Sequence, residues 1–340
     1  MSIQYLRGAA ALAVTTFHAL QWCDGGFEVG RAGVDVFFII SGVIMWRVTC
    51  AGGVTPFAFL ARRATRVAPL YWIMTLTVWA LALWWRGFLP EVLPGAGHLL
   101  LSLAFIPHYD PLGRAFPTLP PGWTLTYEAA FYVVFSAALC MPVRWRALTV
   151  TLILCAIVGA GFVLTDPAYA LGANPMMLQF VLGVWLGVAL ESDVLPSRAW
   201  GVGWFALGLA AFAGLQATGF IDELWRPLIW GLPAALLVGG ALTVEARGGV
   251  FRSPALQRLG DASYSLYLVH LPATAVVAHT LGWSRPWLFV PVALVVSVAA
   301  ALACHAWIEQ PLIRLARRGP IDAIYRRHVI NRLDGRSAAD

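Results

Sequence analysis

Ten apolar stretches, each about long enough to cross a bilayer as a helix, set the limits on this chain: 5–22, 33–50, 68–86, 125–141, 147–165, 175–191, 199–217, 227–244, 264–282 and 287–308. A hydrocarbon core takes about 20 mostly apolar residues per helix, with a range of roughly 17–25. A transmembrane β-barrel would alternate apolar and polar residues with a period of two, and these runs do not. Composition agrees, since 60% of the 340 residues are AVILMFWYC and only 12% are charged. Soluble domains carry roughly 45–50% apolar and about 25% charged residues, so a soluble globule lacks the polar surface it would need. Disordered, collagenous and small disulfide-stapled chains are excluded on the same grounds. The expected fold is all-α: a polytopic membrane helix bundle of about ten transmembrane helices.

All 23 basic residues are arginine, and their distribution sets the orientation. Placing the N-terminus in the cytoplasm puts 18 of them inside and five outside, with both termini cytoplasmic. The +6 net charge is then a matter of membrane topology, and no nucleic-acid partner is expected. The first stretch reads as a retained span, because no small-x-small cleavage site follows it. Residues 1–312 form one transmembrane domain and 313–340 a basic cytoplasmic tail in a multi-pass membrane protein. One long connection, 87–124, carries a short apolar patch and then Pro107, Pro111, Pro117, Pro120 and Pro121. A connection so long and stiff reads as a functional cap or re-entrant loop. The five cysteines form neither CxxC nor CxxH, so neither a metal site nor a disulfide framework is expected.

Ionisable groups inside lipid must be paired or line a cavity, which makes each a candidate site. The first span carries Arg7 and His18. Eleven residues turn an α-helix through about 1100°, so the two share a face roughly 16 Å apart. Antiparallel succession places Asp35 and Glu128 at the depth of His18, where a carboxylate could orient an imidazole base. At the opposite surface Arg62, Arg63 and Arg66 cluster before the third span. They read either as positive-inside anchoring or as a phosphate clamp, because the guanidinium fork matches phosphate oxygens. Arg63 and Arg66, at i and i+3, share one helix face. In the ninth span Ser263, Tyr267 and His270 form a polar stripe, read equally as helix–helix hydrogen bonding or as a pocket wall. His305 and Glu309 read as a structural pair, and Gly183 and Gly187 as a close-packing step between helices.

In order along the chain, these residues resemble the acyltransferase-3 family of membrane acyltransferases, with the nearest likeness to bacterial exopolysaccharide O-acetyltransferases. The likeness rests on Tyr5-Leu6-Arg7-Gly8 through Phe17-His18, the stretch Gly33–Gly42 around Asp35, and Arg62–Tyr71 with its Arg-x-x-Arg step. It continues through Gly122-Trp123-Thr124-Leu125-Thr126-Tyr127-Glu128, Ser263-Tyr264-Ser265-Leu266-Tyr267 to His270, and Ile308-Glu309-Gln310-Pro311. The resemblance implies that His18 is the catalytic histidine and that Arg7 with Arg63 and Arg66 holds the acyl-CoA. It further implies acetyl-CoA as cytoplasmic donor and a glycan or lipid-linked sugar hydroxyl as acceptor.

Residues and resemblance together give an expected mechanism. CoA phosphates bind at Arg62, Arg63 and Arg66, and the pantetheine arm, on the order of 15–20 Å, runs along the Arg7/His18 face. His18, oriented by Asp35 or Glu128, acts as general base on the sugar hydroxyl. Trp123, Tyr127 and Arg7 are candidate oxyanion donors, and Tyr264, Tyr267 and His270 complete the substrate pocket. A proton-coupled transporter or polyprenol-linked sugar flippase is the alternative, since it too would bury His, Asp and Glu. Internal two-fold repeats with broken helices, frequent in transporters, are not evident in this sequence.

Overall fold

The structure is a computed structural model that describes residues 1–164, 173–192, 196–220 and 222–316. Among the described residues it is all-helical, with no strand. The helices are α1 (Ser2–Gln21), α2 (Ala32–Arg47), α3 (Pro56–Trp84), α4 (Ala96–Leu103), α5 (Gly122–Ala138), α6 (Val143–Gly161) and α7 (Leu178–Leu190). There follow α8 (Arg198–Thr218), a single turn Arg226–Ile229, α9 (Gly231–Ala246), α10 (Pro254–Asp261), α11 (Ser263–Leu281) and α12 (Pro286–Cys304). A π-helical turn, His305–Glu309, joins α12 to α13 (Gln310–Ala316). Of the basic tail expected over 313–340, residues 317–340 lie outside the described residues.

Among the described residues, six helical segments are long and apolar enough to cross a membrane: Glu28–Arg47, Pro56–Trp84, Val143–Gly161, Arg198–Thr218, Arg226–Ala246 and Pro286–Ala316. Helices also occupy the other four predicted stretches, but α5 and α7 are short and α1 and α11 are diluted by polar side chains. The reason is physical. Arg7 and His18 lie on α1, Glu128 on α5, and Ser263, Tyr267 and His270 on α11, so these helices carry the polar groups that a lipid-facing helix would lack.

One expectation needs correcting. The third helix starts at Pro56, well before the predicted 68. Thr55 caps it by accepting a hydrogen bond from the Ala58 N–H at 3.3 Å, and Pro56 suits the first helical position. The arginine cluster therefore lies on the same helix as the third predicted stretch.

α1 is the hub, packing against α2, α9, α10, α11 and α12, while α2 packs along α7 and α11 along α12. Gly183 and Gly187 supply the close approach expected of them. A Cβ at Gly183 would run into the backbone oxygen of Ile39 on α2, and one at Gly187 into Trp46. A stack of Phe38, Phe180 and Phe131, with ring centroids 4.4 and 4.3 Å apart, ties α2, α7 and α5 together.

Candidate active site

Two cavities open at opposite ends of α1. The first, of about 100 Å³, is lined at its polar end by Arg7, Arg63, Arg66, Glu128 and Tyr132. The second, of about 350 Å³, is lined by His18 and Gln21 from α1 together with Trp123, Arg31 and Arg226. Val34 and Tyr267 line both, so a wall one side chain deep divides them. Tyr267 is pinned there by its hydroxyl, 2.9 Å from Thr124 Oγ1 and 3.3 Å from the Pro121 carbonyl oxygen, to which it donates.

The first cavity gathers positive charge without neutralising it. Among the described residues no carboxylate forms a salt bridge with Arg7, Arg63 or Arg66. Arg63 is held over the Phe59 ring, 5.8 Å from its centroid, yet its Nε is buried with no hydrogen-bond partner. Leaving a buried charged donor unsatisfied costs more than the roughly 1–3 kcal/mol typical of neutral groups. Glu128, the one carboxylate in the wall, accepts from Ser41 at 3.0 Å and Tyr132 at 2.5 Å. It is thus held in place and its charge partly dispersed. Arg7, Arg63 and Arg66 line the cavity, whereas Arg62, grouped with them in the sequence, does not.

At the other end the hydrogen bonds assign the state of His18. Its Nδ1 lies 3.0 Å from the Val14 carbonyl, and His270 Nδ1 lies 2.8 Å from the Tyr267 carbonyl. A carbonyl only accepts, so both Nδ1 atoms carry the proton. His270 Nε2, 3.2 Å from His18 Nδ1, must then accept a share of that same N–H. In the neutral ring the remaining position, His18 Nε2, keeps its lone pair, and it has no protein partner among the described residues. A neutral imidazole with its free nitrogen at a cavity is the form a general base takes.

The expected orienting carboxylates do not reach it. Asp35 is fully buried, accepts from Arg226 Nε and Nη2 at 3.2 and 2.9 Å, and also accepts from Gln179 Nε2. Arg226 is itself 4% exposed. The pairing explains why: a fully buried carboxylate needs a full counter-charge, which a neutral imidazole cannot provide. His270, assigned in advance to the substrate wall, takes the orienting place. Sequence reasoning missed Arg226 and Gln179. The signal available for Arg226 was an arginine opening the eighth stretch at the depth of Asp35.

The other candidates divide. Tyr264 and Tyr267 line the first cavity, Tyr264 donating to the Val67 carbonyl at 2.6 Å. Trp123 lines the second, whereas Tyr127 faces a smaller pocket beside it. Arg7 lines the first cavity and Tyr127 the neighbouring pocket, so neither lines the cavity that His18 lines. His305 and Glu309 form the expected pair, 2.8 Å apart, with Ser265 donating to the same carboxylate oxygen at 2.7 Å.

The long connection folds over the second cavity, to which it contributes Arg114, Phe116, Pro120 and Pro121. Tyr71 and Trp72 of α3 anchor it through the Ser102 and Leu103 carbonyls, at 3.1 and 2.8 Å. Its tip is closed by Asp110, which accepts from the Leu112 and Arg114 N–H groups at 2.9 and 2.8 Å and from Arg114 Nε at 2.7 Å. Burial pushes the Asp110 carboxyl up, but these bonds outweigh it and hold it below the usual carboxylate value. A depressed folded value means the stabilisation is present above the ordinary carboxylate range and lost as pH falls through the lower folded value. Acidification below about pH 4 should release the tip, and Asp110→Asn should release it at neutral pH. Faster amide exchange at Leu112 and Arg114 would report the opening, and unchanged protection in the variant would refute it.

A profile of the acyltransferase domain matches residues 2–306. The chain belongs to the acyltransferase-3 family. Within that family it is 38% identical over 314 residues to the exopolysaccharide production protein ExoZ of Rhizobium meliloti, covering 90% of this chain and 97% of that protein. It is 28% identical to the putative membrane-bound transacylase BcsY of Komagataeibacter xylinus, covering 94% and 85% of the two chains. The peptidoglycan O-acetyltransferase OatA of Listeria monocytogenes is 24% identical, over 84% of this chain and 51% of that protein. No solved structure matches. This member of the acyltransferase-3 family is accordingly an enzyme, a multi-pass membrane O-acyltransferase.

Proposed function

We propose that the protein moves an acetyl group from cytoplasmic acetyl-CoA to a hydroxyl of an exopolysaccharide or its lipid-linked precursor, with His18 as general base. The observation that carries this reading is the His18 Nε2 lone pair at one cavity, a single Tyr267 side chain away from a second cavity of unpartnered guanidiniums. In this reading the ten predicted stretches all span the bacterial inner membrane, both termini face the cytoplasm, and the Arg7 end opens inward. The relative named for exopolysaccharide production supports the choice of acceptor.

The residues fit the donor. Arg7, Arg63 and Arg66 would hold its phosphates, and the unsatisfied Arg63 Nε is the atom that most needs them. When bound, acetyl-CoA supplies an acyl group activated as a thioester. His18 Nε2 removes the proton from the attacking hydroxyl as the ester bond forms, then returns it to the departing sulfur, so the base is regenerated. His270 is a positioning residue. By accepting from His18 Nδ1–H it keeps the other nitrogen unprotonated. Tyr267 marks where the two substrates must meet, and its side chain must shift for them to do so.

Membranes containing the full chain should pass label from acetyl-carbon-labelled acetyl-CoA to polysaccharide from a producing strain. Label should remain on the polymer after precipitation and leave it in mild alkali, as an ester does. Label confined to free acetate would overturn the reading.

A further inference from the structure

The two cavities differ in one respect that bears on the acceptor, and the argument rests on the reading just proposed. Around the first, three guanidiniums face the space with no carboxylate paired to them. Around the second, every guanidinium in the wall is closed by a carboxylate. Arg31 meets Glu223 at 2.7 Å and Glu28 at 3.8 Å, Arg114 meets Asp110 at 2.7 Å, and Arg226 meets Asp35 at 2.9 Å and Glu223 at 3.3 Å. Glu91 also lines this cavity, and among the described residues its carboxylate has no salt-bridge partner. Five carboxylates thus stand against three guanidiniums, with His18 neutral beside them.

We infer that the His18-end cavity takes an uncharged sugar residue as acceptor and turns away acidic ones. A uronate or phosphate entering here would have to break a formed ion pair or lie against Glu91, and like-charge juxtaposition costs several kcal/mol. A neutral pyranose meets neither obstacle. Its hydroxyls find acceptors in Glu28 and Glu91 and an amide in Gln21, while Phe17, Phe116 and Trp123 offer aromatic faces to its C–H surface. Apolar and aromatic walls with a few placed polar groups are the usual make-up of a small-ligand pocket. The pairing therefore sorts the substrates by charge: the polyanionic donor to one end, the neutral acceptor to the other.

The test uses membranes holding the full chain, labelled acetyl-CoA, and two soluble probes at equal concentration. One is a neutral gluco-oligosaccharide. The other is the same oligosaccharide with its terminal C6 oxidised to the uronate. At neutral pH the neutral probe should take up label at least about tenfold faster. Glu91→Gln, at an exposed site outside the core, should narrow that ratio by raising transfer to the uronate. Equal rates, or preference for the uronate, would overturn the inference while leaving the transferase reading intact. An unchanged ratio in Glu91→Gln would overturn the part assigned to that carboxylate. No transfer to either probe would overturn the transferase reading, and this inference with it.

Discussion

His18→Ala should lower acetyl transfer by about 10²–10⁴-fold, the range a positioned general base contributes, and leave the bundle folded. Folding should survive because His18 is only partly buried and lines a cavity, so its removal leaves no sealed void. The loss should fall on kcat, since the imidazole acts on the proton in flight and makes no contact with the donor phosphates. His270 separates positioning from packing. His270→Phe keeps the volume but removes the acceptor at Nε2, so His18 Nδ1–H is held by Val14 alone and the tautomer is no longer fixed. Its kcat should fall about tenfold or more, less than in His18→Ala, and the KM for acetyl-CoA should stay level. His270→Gln, whose amide oxygen can accept, should recover part of that loss. Steady-state rates on purified enzyme, with a detergent melting curve for each variant, check all three. A folded His18→Ala enzyme with full activity would end the mechanism.

The fold was legible in the sequence where periodicity and length decide it. Each apolar stretch holds a helix, and the Arg7–His18 face survives intact because both residues lie on one unbroken helix. The Arg63–Arg66 step was legible for the same reason, as it depends only on helix pitch. What could not be read was any pairing across helices. Asp35 lies at the depth expected of it, but depth is a single coordinate, and the rotation of α2 turns its carboxylate to Arg226 and Gln179. His270 was visible as a polar residue in the ninth stretch. That it meets His18 depends on the packing of α11 against α1, which hydropathy does not encode. Arg62 shows the converse. Next to Arg63 in sequence, it is rotated about 100° around the helix from Arg63 and does not line the cavity.

That rotation makes Arg62 an internal control for the second large effect. Arg63→Ala should raise the KM for acetyl-CoA by about 10–100-fold, the equivalent of one hydrogen bond to a charged group at about 1.5–3 kcal/mol. Its kcat should change much less, because the lost contact lies on the far side of Tyr267 from the base. Arg66→Ala should behave similarly, whereas Arg62→Ala should alter KM little. Arg63→Lys should restore only part of the affinity, since an ammonium restores the charge but not the planar fork. Stability supplies an independent readout. In the donor-free protein Arg63 buries an unsatisfied Nε and faces Arg66 and Arg7 across one cavity, so Arg63→Ala should melt no lower than the parent. Saturating CoA should stabilise the parent by RT ln(1 + [L]/Kd), and the variant far less. An arginine serving only to anchor the helix at the membrane surface would show the opposite pattern, with lower stability and an unaltered KM. Thermal melts with and without CoA, set beside donor titrations for the four variants, distinguish the two roles.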